Sequence, residues 1–243
     1  MGRLRTARSR WALAGVVAVL GLSGCGGDYG LPDPATEDGE TILGLWKGAV
    51  LAGLAVAALI WALVAWSILR YRRRNDDLPS QTPYNIPLEI AYTVAPLVIV
   101  AVLFGFTMFV QEDVTGAETD PDLEVEVIGF QWSWEFRYPD LDVDVESTGE
   151  GDPVLVLPVG ATVRFDLVAE DVNHSFWVPE FLEKRDLIPR VDNEVFVDVT
   201  RAGEWTGRCS EFCGLKHWAM RFGVRAVPQD EFDRWVRDQG GTA

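Results

Sequence analysis

Apolar and polar positions divide this chain into two regimes that meet near residue 123. Before it, charges vanish over long runs. Gly48 to Leu69 is 22 residues without a charge, and Ile90 to Val110 is a second uncharged run. At a rise of about 1.5 Å per residue, each run crosses a hydrocarbon core of about 30 Å as a helix. The pattern predicts helices over about 42–69 and 88–110, a two-helix transmembrane hairpin within residues 42–110. Arg70, Arg72, Arg73 and Arg74 follow the first run directly. They place the connecting loop in the cytoplasm and both ends of the hairpin outside. Gly48, Ala52 and Ala55 suit close packing against other helices, and Pro96 is expected to bend the second helix.

From Leu123 onward the period changes to two. Leu123, Val125 and Val127 alternate with Glu124 and Glu126, as in a half-buried strand. Val154–Leu157, Thr162–Val168, Val195–Thr200 and Phe222–Val227 read likewise. Turn-forming clusters separate them, among them Gly149-Glu150-Gly151-Asp152-Pro153 and Pro158-Val159-Gly160. Many short strands of this kind predict an all-β sandwich or barrel over residues 123–243. Pro228–Gln239 reads as a closing amphipathic helix with Phe232, Trp235 and Val236 on one face. No internal repeat is present.

The N-terminus changes the picture. Arg3, Arg5, Arg8 and Arg10 precede a short apolar run, Trp11–Leu22, too short to span as a mature helix. Residues 1–24 therefore read as a secretory signal peptide. Residues 25–41 form an acidic linker rich in Gly and Pro without core-forming residues, and residues 111–122 form a second linker. The net charge is −16. From Gln111 onward there are 29 acids against 12 bases, so the imbalance lies in the C-terminal part. That argues against a nucleic-acid partner and for either a basic protein surface or simple solubility.

Candidate chemistry concentrates in Cys209-Ser210-Glu211-Phe212-Cys213-Gly214-Leu215-Lys216-His217-Trp218-Ala219-Met220. The chain has two histidines and three cysteines, and this stretch with His174 takes all but Cys25. Thiolate, imidazole and thioether form a soft ligand set of the kind that selects copper. Three plainer readings stand beside it: a Cys209–Cys213 disulfide, a Cys₂His₂ zinc site that leaves Met220 and Glu211 unused, and a turn with incidental residues.

The motif C-x-E-x-C-x₃-H-x₂-M, with His174 upstream, resembles the dinuclear copper-A site of cytochrome c oxidase subunit II. The resemblance implies that Cys209 and Cys213 bridge two copper ions and that His174 and His217 bind terminally. Met220 is then a weak ligand, and Glu211 supplies its carbonyl. It further implies a cupredoxin-like Greek-key domain, outside the cell membrane of a bacterium, attached to the hairpin. Glu211 would reach a magnesium ion shared with subunit I. Glu89-Ile90-Ala91-Tyr92-Thr93-Val94-Ala95-Pro96 is similar to the family's E-x-x-[WY]-T-x-x-P segment, which implies that Glu89 marks a proton-pathway entrance; an acid at a membrane boundary is otherwise simply solvated.

Gly129-Phe130-Gln131-Trp132-Ser133-Trp134 is similar to G-x-Q-W-x-W, implying electron entry from cytochrome c at Trp132. Read from spacing alone, Trp132 and Trp134 share one face of a strand and suit a core. Docking acids would be Asp140, Glu170 and Asp171, but Arg137 stands where an acid is often found. Asn173-His174-Ser175-Phe176 resembles the family's histidine strand, and Pro189-Arg190 lacks the usual intervening glycine. Leu22-Ser23-Gly24-Cys25 looks like a lipoprotein box, which would leave Cys25 lipidated.

By this resemblance the chain is subunit II of an oxidase with subunits I and III, a soluble or membrane-tethered cytochrome c as donor, and membrane lipid around it. Haem, oxygen reduction to water and coupled proton pumping would reside in subunit I. A metal-free subunit II of a quinol oxidase and a membrane-anchored copper carrier are the alternatives. The chain lacks C-x-x-C-H, so no fused cytochrome c domain is expected in it.

Overall fold

The computed structural model of the chain describes residues 29–73, 76, 78, 81–116, 120–147 and 151–242. The signal-like run and Cys25 lie outside the described residues. The chain separates into Met1–Asp33 and Pro34–Ala243; of the first unit, the described part is a turn at Tyr29–Gly30 followed by irregular chain.

Two long helices open the second unit, α1 (Glu37–Arg70) and α2 (Ile86–Val114). Each contains an 18-residue stretch of mean hydropathy 2.4, none of it buried. Leu51, Trp61, Phe104 and Phe109 project outward uncovered, as a lipid-facing surface requires. Both helices outrun the predicted limits because polar residues cap them. Thr36 accepts a hydrogen bond from the Gly39 amide at 3.0 Å, and Glu37, Asp38 and Glu40 occupy the first turn of α1, where the helix dipole favours acids. The Asn85 side chain accepts from the Leu88 amide at 3.3 Å, and α2 continues four residues past Val110.

The end of the expected 25–41 linker is therefore not a linker. Ala35 and Thr36 are buried against the β domain. The Ala35 amide donates to the Glu180 carbonyl at 2.8 Å, and the Thr200 amide donates to the Ala35 carbonyl at 3.0 Å. Thr36 also bridges Val199. The turn is so tight that a Cβ on Gly39 would lie 2.8 Å from Thr36 Oγ1 and 3.1 Å from the Phe181 carbonyl, so only glycine fits there.

The β domain comprises β1 (Leu123–Phe130), β2 (Ser133–Tyr138), β3 (Val143–Glu146), β4 (Val154–Pro158), β5 (Thr162–Ala169), β6 (His174–Val178), β7 (Glu183–Leu187), β8 (Asn193–Asp198), β9 (Gly203–Cys209) and β10 (Arg221–Val227). Helix α3 (Gln229–Asp238) follows. One sheet has the order β3-β2-β1-β5-β8, the other β4-β10-β9-β6-β7. Neighbours β1 and β5, and β4 and β10, run parallel, so the chain crosses repeatedly between the sheets. Aromatic rings fill the space between them. Trp134 meets Phe222 edge-on at 5.2 Å, and Phe176 stacks on Phe222 at 5.1 Å. Phe232 and Val236 of α3 are buried, and Trp235 meets Tyr138 at 5.2 Å.

Tyr138 locks the two sheets together. Its buried hydroxyl donates to the Val156 carbonyl at 2.9 Å and accepts from the Val156 amide at 3.0 Å. Burial pushes its pKa above the ordinary phenol value despite that backbone contact. Tyr138→Phe strands a buried amide and carbonyl, so it should cost about 1–3 kcal/mol. Denaturant unfolding of the purified protein, followed by tryptophan fluorescence, should show a lower midpoint with an unchanged slope.

Candidate metal centre

The donors come from one strand end and one loop. Cys209 closes β9, the chain loops through residues 210–220, and β10 leaves at Arg221. The Cys209 amide donates to the Met220 carbonyl at 3.0 Å, which pinches the neck of the loop. At Gly214 the backbone has φ +119°, and a Cβ there would lie 3.0 Å from Gln131 Nε2 and 3.3 Å from Trp132. Glycine lets the loop fold back onto the β1–β2 turn. A short 3₁₀ turn, His217–Ala219, then aims His217 inward. The remaining imidazole, His174, begins β6 and is fully buried.

These elements bring all six expected donors together. The two sulfurs lie 3.8 Å apart and remain separate thiols. His174 Nδ1 is 3.9 Å from the Cys209 sulfur, and His217 Nδ1 is 3.6 Å from the Cys213 sulfur. The Met220 sulfur is 3.7 Å from Cys213, and the Glu211 carbonyl is 3.1 Å from Cys209. His174, Cys209 and Cys213 alone place their ligand atoms within 4.8 Å of one another. The disulfide and the incidental turn give way to this convergence. A single tetrahedral zinc ion would use four of these donors.

Asp171 holds the centre from behind. Its carboxylate accepts from His174 Nε2 at 2.9 Å, from the Val172 amide at 2.7 Å and from the Gln131 amide at 2.8 Å. A carboxylate can only accept, so Nε2 carries a proton, and Nδ1 is the nitrogen that faces the sulfurs. The acid read from sequence as a docking residue is thus engaged inward. Gln131, which sequence reasoning missed, joins the same network, its side chain donating to the Cys213 carbonyl at 2.7 Å. Its place beside Trp132 was the available signal.

Trp132 differs from the sequence reading. Phe130 pairs with Ser133, so Gln131 and Trp132 form the two-residue hairpin turn and do not belong to the strand. Trp134 is fully buried, while Trp132 is half-buried and donates from Nε1 to the Cys213 carbonyl at 3.2 Å. The two rings therefore do not share a face. Asp140 lies beyond the far end of β2 in an exposed 3₁₀ turn, away from Trp132. Glu170 is exposed, and its amide is tied to the Gly129 carbonyl at 3.1 Å. Arg137 is met by Glu135 and by Glu126 at 3.7 Å, so its charge is answered within the chain. Glu89, far from the centre on α2, accepts from the Asn85 amide at 2.9 Å.

Comparison with known proteins gives one consistent result. Residues 144–227 match the family model described as cytochrome c oxidase subunit II, periplasmic domain. A probable cytochrome c oxidase subunit 2 of Streptomyces coelicolor is 37% identical, covering 86% of this chain and 78% of that protein. A cytochrome c oxidase subunit 2 of Mycobacterium tuberculosis is 32% identical, covering 94% and 80%. Among solved structures, the periplasmic domain of subunit II of cytochrome oxidase from Bradyrhizobium japonicum is 31% identical with a TM-score of 0.45, covering 50% of this chain and 96% of that one.

The two thiols titrate far apart. Burial raises Cys209, but hydrogen bonding with His174 and with the backbone at Ser175 and Glu211 outweighs it and brings the pKa to about 7. Burial and the charge on Cys209 push Cys213 up to about 12. His174 lies above its usual value, because Cys209 and Asp171 overcome the cost of burial. In the metal-free protein one thiolate should therefore appear as pH rises through about 7 and disappear as it falls. Thiolate ultraviolet absorbance should show a step near that pH, and Cys209→Ser should abolish that step.

Proposed function

Because the chain belongs to the cytochrome c oxidase subunit II family, we propose that it is the electron-entry subunit of a cytochrome c oxidase, holding a dinuclear copper-A centre. The observation that carries this is the gathering of two imidazole nitrogens, a thioether and a carbonyl around two unbonded sulfurs in a membrane-anchored β domain. The two thiolates, two imidazoles and the thioether suit copper. Cys209, Cys213, His174, His217, Met220 and the Glu211 carbonyl would hold the copper pair. When bound, the copper pair supplies a one-electron couple whose charge is spread over two metals.

The protein's own part is to hold the donors still and to conduct. Asp171 fixes the His174 ring, and the loop neck fixes Cys209 against Met220. Because reduction then moves few atoms, electron transfer faces a small reorganisation barrier. Trp132 receives the electron from cytochrome c, and its indole hydrogen bond to the Cys213 carbonyl leads directly to the centre. Haem in subunit I would take the electron onward, for oxygen reduction to water and coupled proton pumping there. Subunit III completes the oxidase.

The remaining assignments follow the same reading. Glu211 faces a magnesium ion shared with subunit I, a hard ion suited to carboxylate. Glu89 stands at the cytoplasmic entrance of a proton pathway, its carboxylate steadied by the Asn85 amide. Asp140 and Glu170 are exposed acids available to a basic donor. Residues 1–24 are removed as a signal peptide and Cys25 is lipidated, leaving both termini and the copper domain outside a bacterial cell membrane. The intact donor set on a folded scaffold disfavours a metal-free quinol-oxidase subunit or a mobile copper carrier.

Purified protein should hold two coppers with a mixed-valence, seven-line EPR signal. Cys213→Ser should destroy that signal, because one sulfur cannot bridge symmetrically; an unchanged spectrum sinks the dinuclear assignment. Trp132→Phe should leave the copper spectrum intact while slowing electron entry from reduced cytochrome c, read by stopped flow. An unaltered rate would remove the relay role.

A further inference from the structure

Beyond the metal site, the outward face of the second sheet carries a feature at odds with the acidic domain around it. Lys184 on β7 stands directly opposite Trp177 on β6. Trp177 stands opposite Arg208 on β9, and Arg208 opposite Arg221 on β10. Residues paired this way project from the same face. Their neighbours Phe176, Cys209 and Phe222 are buried, so these four point outward. The result is one basic row crossing four strands, about 14 Å from end to end at the usual strand spacing.

Cations on the other sheet are answered within the chain. Arg137 pairs with Glu135 and Glu126, and Arg164 pairs with Glu124 at 2.9 Å and Asp166 at 3.1 Å. In the basic row, Arg221 reaches Asp152 at 3.6 Å across an exposed gap. Among the described residues, Lys184 and Arg208 have no carboxylate partner. The Arg208 guanidinium instead lies over the Trp177 ring at 5.6 Å, a flat apolar surface ringed by charge. Tryptophan and arginine so placed are the residue types that dominate protein interfaces.

We infer that this row docks an acidic protein surface in the assembled oxidase. Glu204 on β9 and Asp186 on β7 share the outward face with it. They would repel a continuous layer of anionic lipid headgroups, but a protein can place its carboxylates between them. The partner is thus a polypeptide whose acidic groups match the spacing of Lys184, Arg208 and Arg221. This surface is separate from the acids offered to a basic donor.

The test uses the full-length chain in its purified oxidase, treated with a zero-length carbodiimide that joins amines to carboxylates. Peptide mapping should link Lys184 Nζ to an aspartate or glutamate of another polypeptide. Lys184→Arg should abolish the link yet retain that polypeptide. Lys184→Glu with Trp177→Ala should release it at lower salt, with the copper absorbance unchanged as the sign of an intact fold. Three results would overturn the inference: Lys184 linked only within its own chain or not at all, retention indifferent to charge reversal, or reversal that abolishes binding to phosphatidylglycerol vesicles while every polypeptide stays.

Discussion

Two sulfur atoms held at 3.8 Å without bonding are the constraint on which the site depends. Left to themselves in an oxidising compartment, two such thiols close into a disulfide. Here the backbone is anchored on both sides of the pair. The Cys209 amide is held by Met220, and the Cys213 carbonyl is held by Gln131 and Trp132. These bonds fix the backbone from which each sulfur projects. The geometry is therefore a property of the whole loop and the β1–β2 turn.

Asp171 connects the two halves of that restraint. One oxygen holds His174 and the other holds the Gln131 amide, so the imbedded imidazole and the turn bearing Trp132 share one carboxylate. Burial tends to raise its pKa, but His174 and the amides of Gln131 and Val172 hold it below the usual carboxylate range. It stays ionised, which keeps the acceptor role intact.

Much of this was legible in the sequence, and the failures have physical causes. The two apolar runs located both helices because each is long and apolar enough to cross a membrane. Their ends were misjudged because Thr36 and Asn85 cap beyond the apolar stretch. Strands β1, β5 and β10 alternate cleanly, whereas β9 hides behind glycines and β7 behind a run of charges. The six donors were legible as chemical types at recognisable spacing. Gln131, and the inward turn of Asp171, were not, since hydrogen bonds between residues 40 apart leave no local pattern. Trp132 was misplaced for a related reason: alternation assumes a strand, and a two-residue hairpin interrupts it.

The strap at Pro34–Thr36 has a mechanical meaning. A globular head on a lone peptide tether would swing over its anchor, and any tunnelling distance to a neighbouring redox group would fluctuate with it. Two main-chain hydrogen bonds and a capped first turn instead weld the top of α1 to the residues around Glu180 and Val199. Tunnelling falls off exponentially with separation, so, on the proposed function, such a fixed seat would keep the rate constant, decided when the chain folds.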